Sequence, residues 1–169
     1  MRRPEKLLDN LNIDMQLQPS QKEHVLEIMS WFPEISDCRQ WGGPEMRFPF
    51  REKSFLEDIH WKKISSYSAI TQEGSLLGFG QFYEKRGRCH LARLAVSPKY
   101  RGLGLGKTFI RSLMHIGQKQ LNTNKFSLYV LSNNTPAVAC YQKLGFELAE
   151  TPQEVINLKY CVYMIAAFD

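Results

Sequence analysis

Three glycines that alternate with leucines stand where a predicted strand gives way to a predicted helix. They are Gly102, Gly104 and Gly106, with Arg101 just before them and Lys107 just after. Glycine has no Cβ, so a chain can turn tightly there and approach a ligand closely. The free N–H groups at a helix N-terminus, together with the helix dipole, favour an anion such as a pyrophosphate. The segment therefore predicts a phosphate-binding turn reinforced by two cations.

Two common phosphate loops do not fit this spacing. A P-loop that ends in the Gly-Lys-Thr of residues 106–108 needs glycine at position 101, and that residue is arginine. A dinucleotide-binding fingerprint that starts at Gly102 needs glycine at position 107, and that residue is lysine. Each pattern fails at one position, so neither loop is predicted.

The elements that must position this turn follow from hydrophobic spacing and from breaker residues. Strand, helix, helix, three strands, helix, strand, helix and two strands are predicted in that order, which is typical of a mixed α/β domain with a βαβ unit. Two helices have predicted caps, one from a capping box that starts at Ser20 and one with Thr135 as N-cap. Residues 33–50 are rich in Pro, Gly and aromatic residues and are predicted to be a loop. Residues 1–12 are predicted to form an N-terminal arm, and residues 13–169 a single domain. The other predicted ranges are 13–18, 51–62, 65–72, 76–84, 89–96, 104–121, 126–131, 146–150 and 160–167.

Two motifs resemble those of a known family. The pattern V-x-P-x-x-R-G-x-G-x-G over residues 96–106 resembles the acetyl-CoA signature of the GCN5-related N-acetyltransferase (GNAT) superfamily. Residues 133–137 and 141–146 are similar to that family's second motif, in the right order and in the expected element. The resemblance covers residues 13–169. It implies a GNAT-like fold with a central, mostly antiparallel sheet of about six to seven strands, a splayed parallel pair and about four flanking helices.

The resemblance also implies a site for acetyl-CoA as co-substrate. The pantetheine arm would lie in a slot between residues 89–96 and 126–131, with Asn134 hydrogen-bonded to it. The strand edge that pairs with this arm, where a backbone N–H polarises the thioester carbonyl, is Leu94, Ala95 and Val96. The residues that would hold the CoA pyrophosphate are Arg101, Gly102, Leu103, Gly104, Leu105, Gly106, Lys107 and Thr108.

Two residues of the second motif receive roles from the same resemblance. Tyr141 would lie near the sulfur and protonate the leaving thiolate, and Lys143 would approach the 3′-phosphoadenosine end of CoA. Each has an alternative interpretation. Tyr141 shares a helical stripe with Ala137 and Leu144 that suits a core tyrosine, and Lys143 suits a solvated helix charge.

The proton acceptor for the attacking amine is less defined. A primary alkylamine, with a pKa near ~10, must lose a proton through a base or a water chain. Some family members that acetylate protein N-termini carry Glu twelve residues ahead of the tyrosine, and here that position is Tyr129. Glu84 and His90 are the candidate bases. The alternatives are a solvated strand-end charge for Glu84 and a packed strand residue for His90.

The acceptor site is predicted around the first two helices, where aromatic and acidic residues are frequent. Such a lining suits a cationic amine through cation–π and charge attraction, although the aromatic residues also suit packing of helices on the sheet. The aromatic candidates are Trp31, Phe32, Trp41, Phe48, Phe50 and Trp61. The acidic candidates are Glu34, Asp37, Glu45, Glu57 and Asp58.

The charge distribution agrees with a phosphorylated donor. The chain has a net charge of +5, yet residues 85–146 hold eleven Lys and Arg with no Asp or Glu. We therefore expect an acetyl-CoA-dependent N-acetyltransferase that moves the acetyl group directly to a primary amine of a small molecule, peptide or protein. The alternative is a non-catalytic acyl-CoA-binding regulatory domain. A nucleic-acid-binding module rests on charge alone and is not expected.

Several remaining expectations concern the protein's setting. The four cysteines form no C-x-x-C pair, so no metal is expected. The longest apolar run and the residues after Met1 fit neither a membrane span nor a secretory signal, so a cytoplasmic protein without membrane partners is expected. A monomer or a homodimer fits the sequence, which does not specify the acceptor or the length of the acyl group.

Overall fold

The protein is described here by a computed structural model that covers residues 14–153 and 160–169. The predicted arm of residues 1–12 lies outside the described residues. The strands are β1 (Met15–Pro19), β2 (Ser65–Thr71), β3 (Leu76–Lys85), β4 (Arg88–Val96), β5 (Lys125–Leu131), β6 (Glu147–Ala149) and β7 (Cys161–Ala167). The helices are α1 (Lys22–Ile28), α2 (Ile35–Gly42), α3 (Glu52–Asp58), α4 (Leu105–Leu121) and α5 (Thr135–Lys143).

The strands form one mixed sheet in the order β1-β2-β3-β4-β5-β7-β6. The pair β4–β5 is parallel, and every other neighbouring pair is antiparallel. This arrangement confirms the predicted mixed α/β class and its single parallel pair. The described residues contain five α-helices, where about four were expected.

Alternate residues of β3 face two separate cores. Gly78 and Gly80 face α4, since a Cβ at Gly80 would lie 2.6 Å from Cδ2 of Leu113. Phe79, between them, packs with the buried residues of α1, α2 and α3. Because successive side chains on a strand point to opposite faces, α4 and α5 cover one face of the sheet and α1 to α3 cover the other.

Helix α2 lies inside the segment that was predicted to be a loop, so that prediction is wrong for residues 35–42. The breakers mark the ends of this helix rather than its absence. Pro33 stands before the extended N-cap Glu34, and the helix ends at Gly42, followed by the C-cap Gly43, whose φ is 99°. Between them, Cys38 is fully buried in the second core. The many Pro and Gly residues over 33–50 therefore predicted a loop, although the segment contains a short amphipathic helix.

Both predicted helix caps are displaced by one residue. The N-cap of α1 is Gln21, whose backbone N–H donates to Nδ1 of His24 at 3.2 Å. Ser20 instead lies 2.7 Å, Oγ to Oγ, from Ser68. Helix α5 begins at Thr135 itself, and its N-cap is Asn134. In both places the predicted helix exists, but another residue occupies the cap.

Candidate active site

The parallel strands β4 and β5 separate after two residue pairs. Only Cys89 with Phe126 and His90 with Ser127 are in register, although the strands continue to Val96 and Leu131. The two strand ends therefore diverge and leave a slot between residues 91–96 and 128–131. This geometry agrees with the splayed pair that the family resemblance implied.

A β-bulge in β4 helps to open the slot. Phe79 pairs with Ala95 and Gln81 with Ala92, so Gly80 faces two residues, Arg93 and Leu94. Arg93 has a φ of 49°, in the left-handed region. A bulge bends its strand and raises the local twist, which turns the end of β4 away from β5. The two glycines Gly78 and Gly80 within a strand pattern are the sequence signal that points to such a bulge.

A first cavity of about 920 Å³ runs from the slot to the glycine turn. It is lined by twelve of the residues that the sequence assigned to CoA: Leu94, Ala95, Val96, Arg101, Gly102, Gly104, Leu105, Gly106, Lys107, Asn134, Tyr141 and Lys143. Leu103 and Thr108 are not among the residues that line it. The structure thus brings the two motifs together around one space.

The glycine turn presents the N-terminus of α4 to this cavity. Gly102 and Gly104 have φ values of 76° and 73°, which a residue with a Cβ rarely adopts. The N-cap Gly104 supplies no side chain, and the first turn of α4 contains no acidic residue. Nε of Arg101 donates to the carbonyl oxygen of Val96 at 3.0 Å and so ties the turn to the end of β4. An uncapped helix start with two adjacent cations fits a pyrophosphate.

Asn134 and Tyr141 reach the same cavity from α5. The Asn134 side chain makes no capping hydrogen bond to its own helix, so its amide remains available to a ligand. Tyr141 is half-buried, and its ring meets Phe146 edge to face with centroids 6.0 Å apart. Burial, and secondarily Cys140, raise the pKa of Tyr141, so its hydroxyl keeps its proton at neutral pH. The tyrosine packs on the core and lines the cavity at once.

Of the two candidate bases, only His90 lies beside a cavity. It is 3% exposed and lies between the rings of Tyr83 and Tyr129, with centroids 5.2 and 5.1 Å away. Burial, and secondarily Lys85, lower the pKa of His90 to about 3, so the imidazole is neutral at physiological pH. It is therefore a weak proton acceptor.

The structure places Glu84 near the end of β3, beside the hairpin turn that leads to β4. Its Oε1 accepts a hydrogen bond from the backbone N–H of Gly87 at 2.7 Å. Glu84 lines neither of the two cavities. The strand-end interpretation describes this residue better than the proposed role as base.

A second cavity of about 860 Å³ lies on the other side of the slot. The two cavities share eight lining residues: Gln40, Trp41, Leu91, Ala92, Arg93, Tyr129, Val130 and Leu131. They therefore meet where β4 and β5 diverge, and a group bound in one can reach a group bound in the other. Arg93 is not among the residues that the sequence predicts for the site, although an arginine within the largely apolar run 89–96 is a signal for it.

Most of the aromatic acceptor candidates belong to the second core. Phe32 and Trp41 stack at 4.5 Å between centroids, and Trp41 continues the stack to Phe55 at 5.9 Å. Phe48, Phe50 and Trp61 line neither cavity, so packing describes them better. The aromatic candidates beside a cavity are Trp31, Phe32 and Trp41.

The acidic candidates are divided between the two cavities and solvent. Asp37 lines the first cavity. Glu45, Glu57 and Asp58 line the second. Glu34 lines neither. The predicted acidic acceptor region is therefore present only in part.

Within residues 14–153 and 160–169, no helix combines the length and the apolar character needed to cross a bilayer. The same residues contain no group of three or more His, Cys, Asp or Glu side chains placed to hold a metal ion.

Solved structures share this fold. A crystal structure of spermidine N-acetyltransferase from Vibrio cholerae in complex with CoA and spermine aligns with a TM-score of 0.69 and 18% identity, over 90% of this chain and 95% of that one. A putative acetyltransferase from Acinetobacter baylyi aligns with a TM-score of 0.71 and 19% identity, over 94% and 95% of the two chains. At this level of identity, the likeness concerns the fold.

Curated relatives match over parts of their length. A putative [ribosomal protein bS18]-alanine N-acetyltransferase from Bacillus subtilis is 28% identical over 59% of this chain and 65% of its own length. A mycothiol acetyltransferase from Corynebacterium glutamicum is 33% identical over 72% of this chain and 41% of its own. The chain thus spans less than two thirds of each of these relatives. The sequence model of the Acetyltransferase (GNAT) family matches residues 35–146, which include the glycine turn, the slot and Tyr141. The chain therefore belongs to the acetyltransferase (GNAT) family.

Proposed function

We propose that this protein is an acetyl-CoA-dependent N-acetyltransferase that binds its donor in the first cavity and a primary amine in the second. The observation that carries the proposal is the slot between β4 and β5, at which the two cavities meet. A direct transfer needs donor and acceptor to be bound together, and two joined cavities provide for that. The relatives named as a putative [ribosomal protein bS18]-alanine N-acetyltransferase and a mycothiol acetyltransferase support acetyl transfer without selecting one acceptor.

Acetyl-CoA is held by groups at helix starts and at a strand edge, where no side chain caps the helices. The amides that open α4 take the pyrophosphate, with Arg101 and Lys107 beside it. The unpaired edge of β4 at 94–96 takes the pantetheine arm as an additional strand would. Asn134 donates or accepts a hydrogen bond on the arm, since its amide makes no bond to its own helix. Lys143 lines the same cavity and contacts the 3′-phosphate at the adenosine end of CoA.

The transfer then proceeds in one step at the junction of the cavities. The acceptor nitrogen attacks the acetyl carbon, and the N–C bond forms as the C–S bond breaks. A backbone N–H on the bulged part of β4 stabilises the oxygen on which negative charge develops. Tyr141 gives its proton to the leaving thiolate, which suits a phenol that burial keeps protonated.

The nitrogen's proton leaves through solvent. Glu84 is committed to the hairpin turn, and neutral His90 is too weak a base to take the proton directly. We therefore propose that the uncharged fraction of the amine enters the second cavity, with water as the proton carrier.

A donor-binding experiment tests the first half of the proposal. Acetyl-CoA should raise the melting temperature of the wild-type protein, and Gly104→Glu should abolish the shift because a carboxylate would occupy the anion site. Gly74→Glu is the matched control, since Gly74 is also exposed with a positive φ, 84°, but lies in the β2–β3 hairpin away from both cavities. No shift at millimolar acetyl-CoA, or equal loss in both variants, would contradict the proposal.

A further inference from the structure

The second cavity holds cations that form no ion pair among the described residues, and we propose on this basis that the acceptor is an amine that also carries a carboxylate. The acceptor would be an amino acid, or a peptide with an acidic side chain beside its N-terminus, rather than a polyamine. This inference rests on the proposed acetyl transfer and names the acceptor class for the same site.

The acidic residues of the second cavity are largely neutralised. Nη2 of Arg47 lies 2.7 Å from Oε2 of Glu57 and 2.8 Å from Oδ1 of Asp58. The backbone N–H and Nε of Arg47 also donate to Asp58. Arg47 is not among the residues that line the cavity, and its positive charge compensates the Glu57 and Asp58 carboxylates from outside the cavity. Glu45, which is exposed, is the third acid of the lining.

Arg93 is the first cation of this lining that forms no ion pair in the described chain. Its Nη1 donates to Oε1 of Gln81 at 3.0 Å, and its Nη2 donates to the backbone oxygen of Asp58 at 3.2 Å. Both partners are neutral oxygens, and among the described residues no carboxylate lies within ion-pair distance of Arg93. The Asp58 carboxylate attracts Arg93 at longer range but is already paired with Arg47. A half-buried guanidinium without an ion pair of its own is costly, so the place of Arg93 beside the slot favours an anionic ligand.

Lys85 is the second such cation. Its Nζ lies 5.2 Å from the centroid of the Tyr129 ring, and no ion pair of the described chain includes it. Burial, and secondarily Arg86, lower the pKa of Lys85, as expected for an ammonium group that no anion stabilises. Arg39, more exposed, adds positive charge to the same lining.

Unpartnered polar atoms provide an independent observation. In the described part of the chain, the buried side-chain nitrogen and oxygen atoms without a hydrogen-bond partner are Nε1 of Trp41, Nε of Arg93 and Oη of Tyr129. All three residues line both cavities and therefore surround their junction. Each of these groups can donate a hydrogen bond. A carboxylate only accepts hydrogen bonds, and it accepts several, so it complements this set as a second ammonium group would not.

The charges argue against a polyamine. Spermidine or spermine would bring at least one ammonium group besides the reacting amine into a cavity that already holds Arg93 and Lys85. Like charges at short distance in a partly desolvated site repel strongly. The same site attracts the carboxylate of an amino acid and so orients its amine toward the slot.

Matched acceptors test the inference through the rate of CoA thiol release. Glycine, β-alanine and γ-aminobutyrate are each compared with their own carboxamide, a peptide with glutamate beside its amine is compared with the glutamine version, and spermidine is included. The proposal expects kcat/KM for the preferred carboxylate acceptor to exceed that of its amide about tenfold or more. Comparing the amino-acid series with the peptide pair shows whether the carboxylate belongs to a free amino acid or to an acidic side chain of a peptide.

Variants connect the preference to the cavity. Lys85→Gln should reduce the carboxylate-to-amide ratio several-fold while Lys85→Arg retains it, and Arg93→Gln should act in the same direction. Lys119→Gln, an exposed change on α4, is the control and should leave the ratio unchanged. The ratio compares two acceptors of one variant, so partial loss of folded protein does not affect it.

The outcomes separate the two proposals. Equal or faster turnover of amides or spermidine, or a ratio that Lys85→Gln leaves unchanged, would overturn the carboxylate inference and leave acetyl transfer standing. Acetyl-CoA binding without thiol release for every acceptor would overturn both.

Discussion

The imidazole Nδ1 of His90 lies 2.8 Å from Oγ of Ser127, at the last paired position before β4 and β5 diverge. Both residues are buried, at 3% and 1% exposure. The hydrogen bond joins the two strands at the base of the slot, where backbone pairing ends. It thus marks the boundary between the continuous sheet and the proposed site.

Ser127→Ala removes this bond and leaves a ring nitrogen of His90 buried without a partner. The free energy of unfolding should fall by about 1–3 kcal/mol, which is the cost of an unsatisfied buried polar group. Urea unfolding measures the change. Ser30→Ala is the control, since the exposed Ser30 hydroxyl donates only to the Glu27 carbonyl of its own helix turn. Equal, small losses in both variants would show that the His90–Ser127 bond adds nothing to stability.

Acid should destabilise the protein through His90. An unfolded histidine takes up a proton near pH 6.5, whereas folded His90 does so only near pH 3, so the unfolded state binds more protons between these values. The imidazole lies beside the rings of Tyr83 and Tyr129 and near the Lys85 ammonium. None of these three groups is an anion that could stabilise a protonated imidazole. Stability should therefore fall as pH drops through this window, and His90 should contribute about 2–3 kcal/mol of the loss by about pH 4.

Urea unfolding at about pH 7 and about pH 4 tests this assignment. His90→Gln should lose less stability on acidification than the wild type, and His115→Gln, at an exposed position on α4, should lose as much as the wild type. Identical acid sensitivity in all three proteins would assign the effect to other groups.

Tyr141→Phe should lower kcat roughly a hundredfold, because the leaving thiolate loses its proton donor. The affinity for acetyl-CoA should change little, since the phenyl ring and its packing on Phe146 remain. Steady-state kinetics and a binding titration measure the two quantities. Tyr67→Phe is the control, because the Tyr67 hydroxyl bonds Gln120 away from both cavities. A kcat equal to that of the control would leave Tyr141 as a core residue.

The pH–rate profile should follow the acceptor rather than the protein. Since neither Glu84 nor His90 supplies a strong base at the slot, kcat/KM should rise with pH until the amine itself is uncharged, near ~8 for the α-amine of a peptide and ~10 for an alkylamine. Profiles for two acceptors with different amine pKa values should therefore be displaced from each other. A common inflection for both acceptors, at the same pH, would indicate a protein base and would contradict the solvent route.

The residues proposed for the donor lie together in the structure more completely than those proposed for the acceptor, for physical reasons. The glycine turn and α5 are local structures, set by left-handed backbone positions and by short-range spacing, and twelve of the assigned CoA residues meet in one cavity. The acceptor side depends on long-range packing. No spacing rule shows that the Glu84 carboxylate accepts a hydrogen bond from the Gly87 backbone, or that Arg47 forms an ion pair with Asp58.

We propose direct transfer from a donor in the first cavity to an amine in the second. The most direct measurement is the stoichiometry of free CoA thiol to acetylated amine, taken by thiol titration and mass spectrometry on the same reaction. We expect one acetylated amine for each thiol released, with no release above background when the amine is left out. Thiol release that does not require the amine, or bound acetyl-CoA that yields no acetylated product with any acceptor, would contradict it.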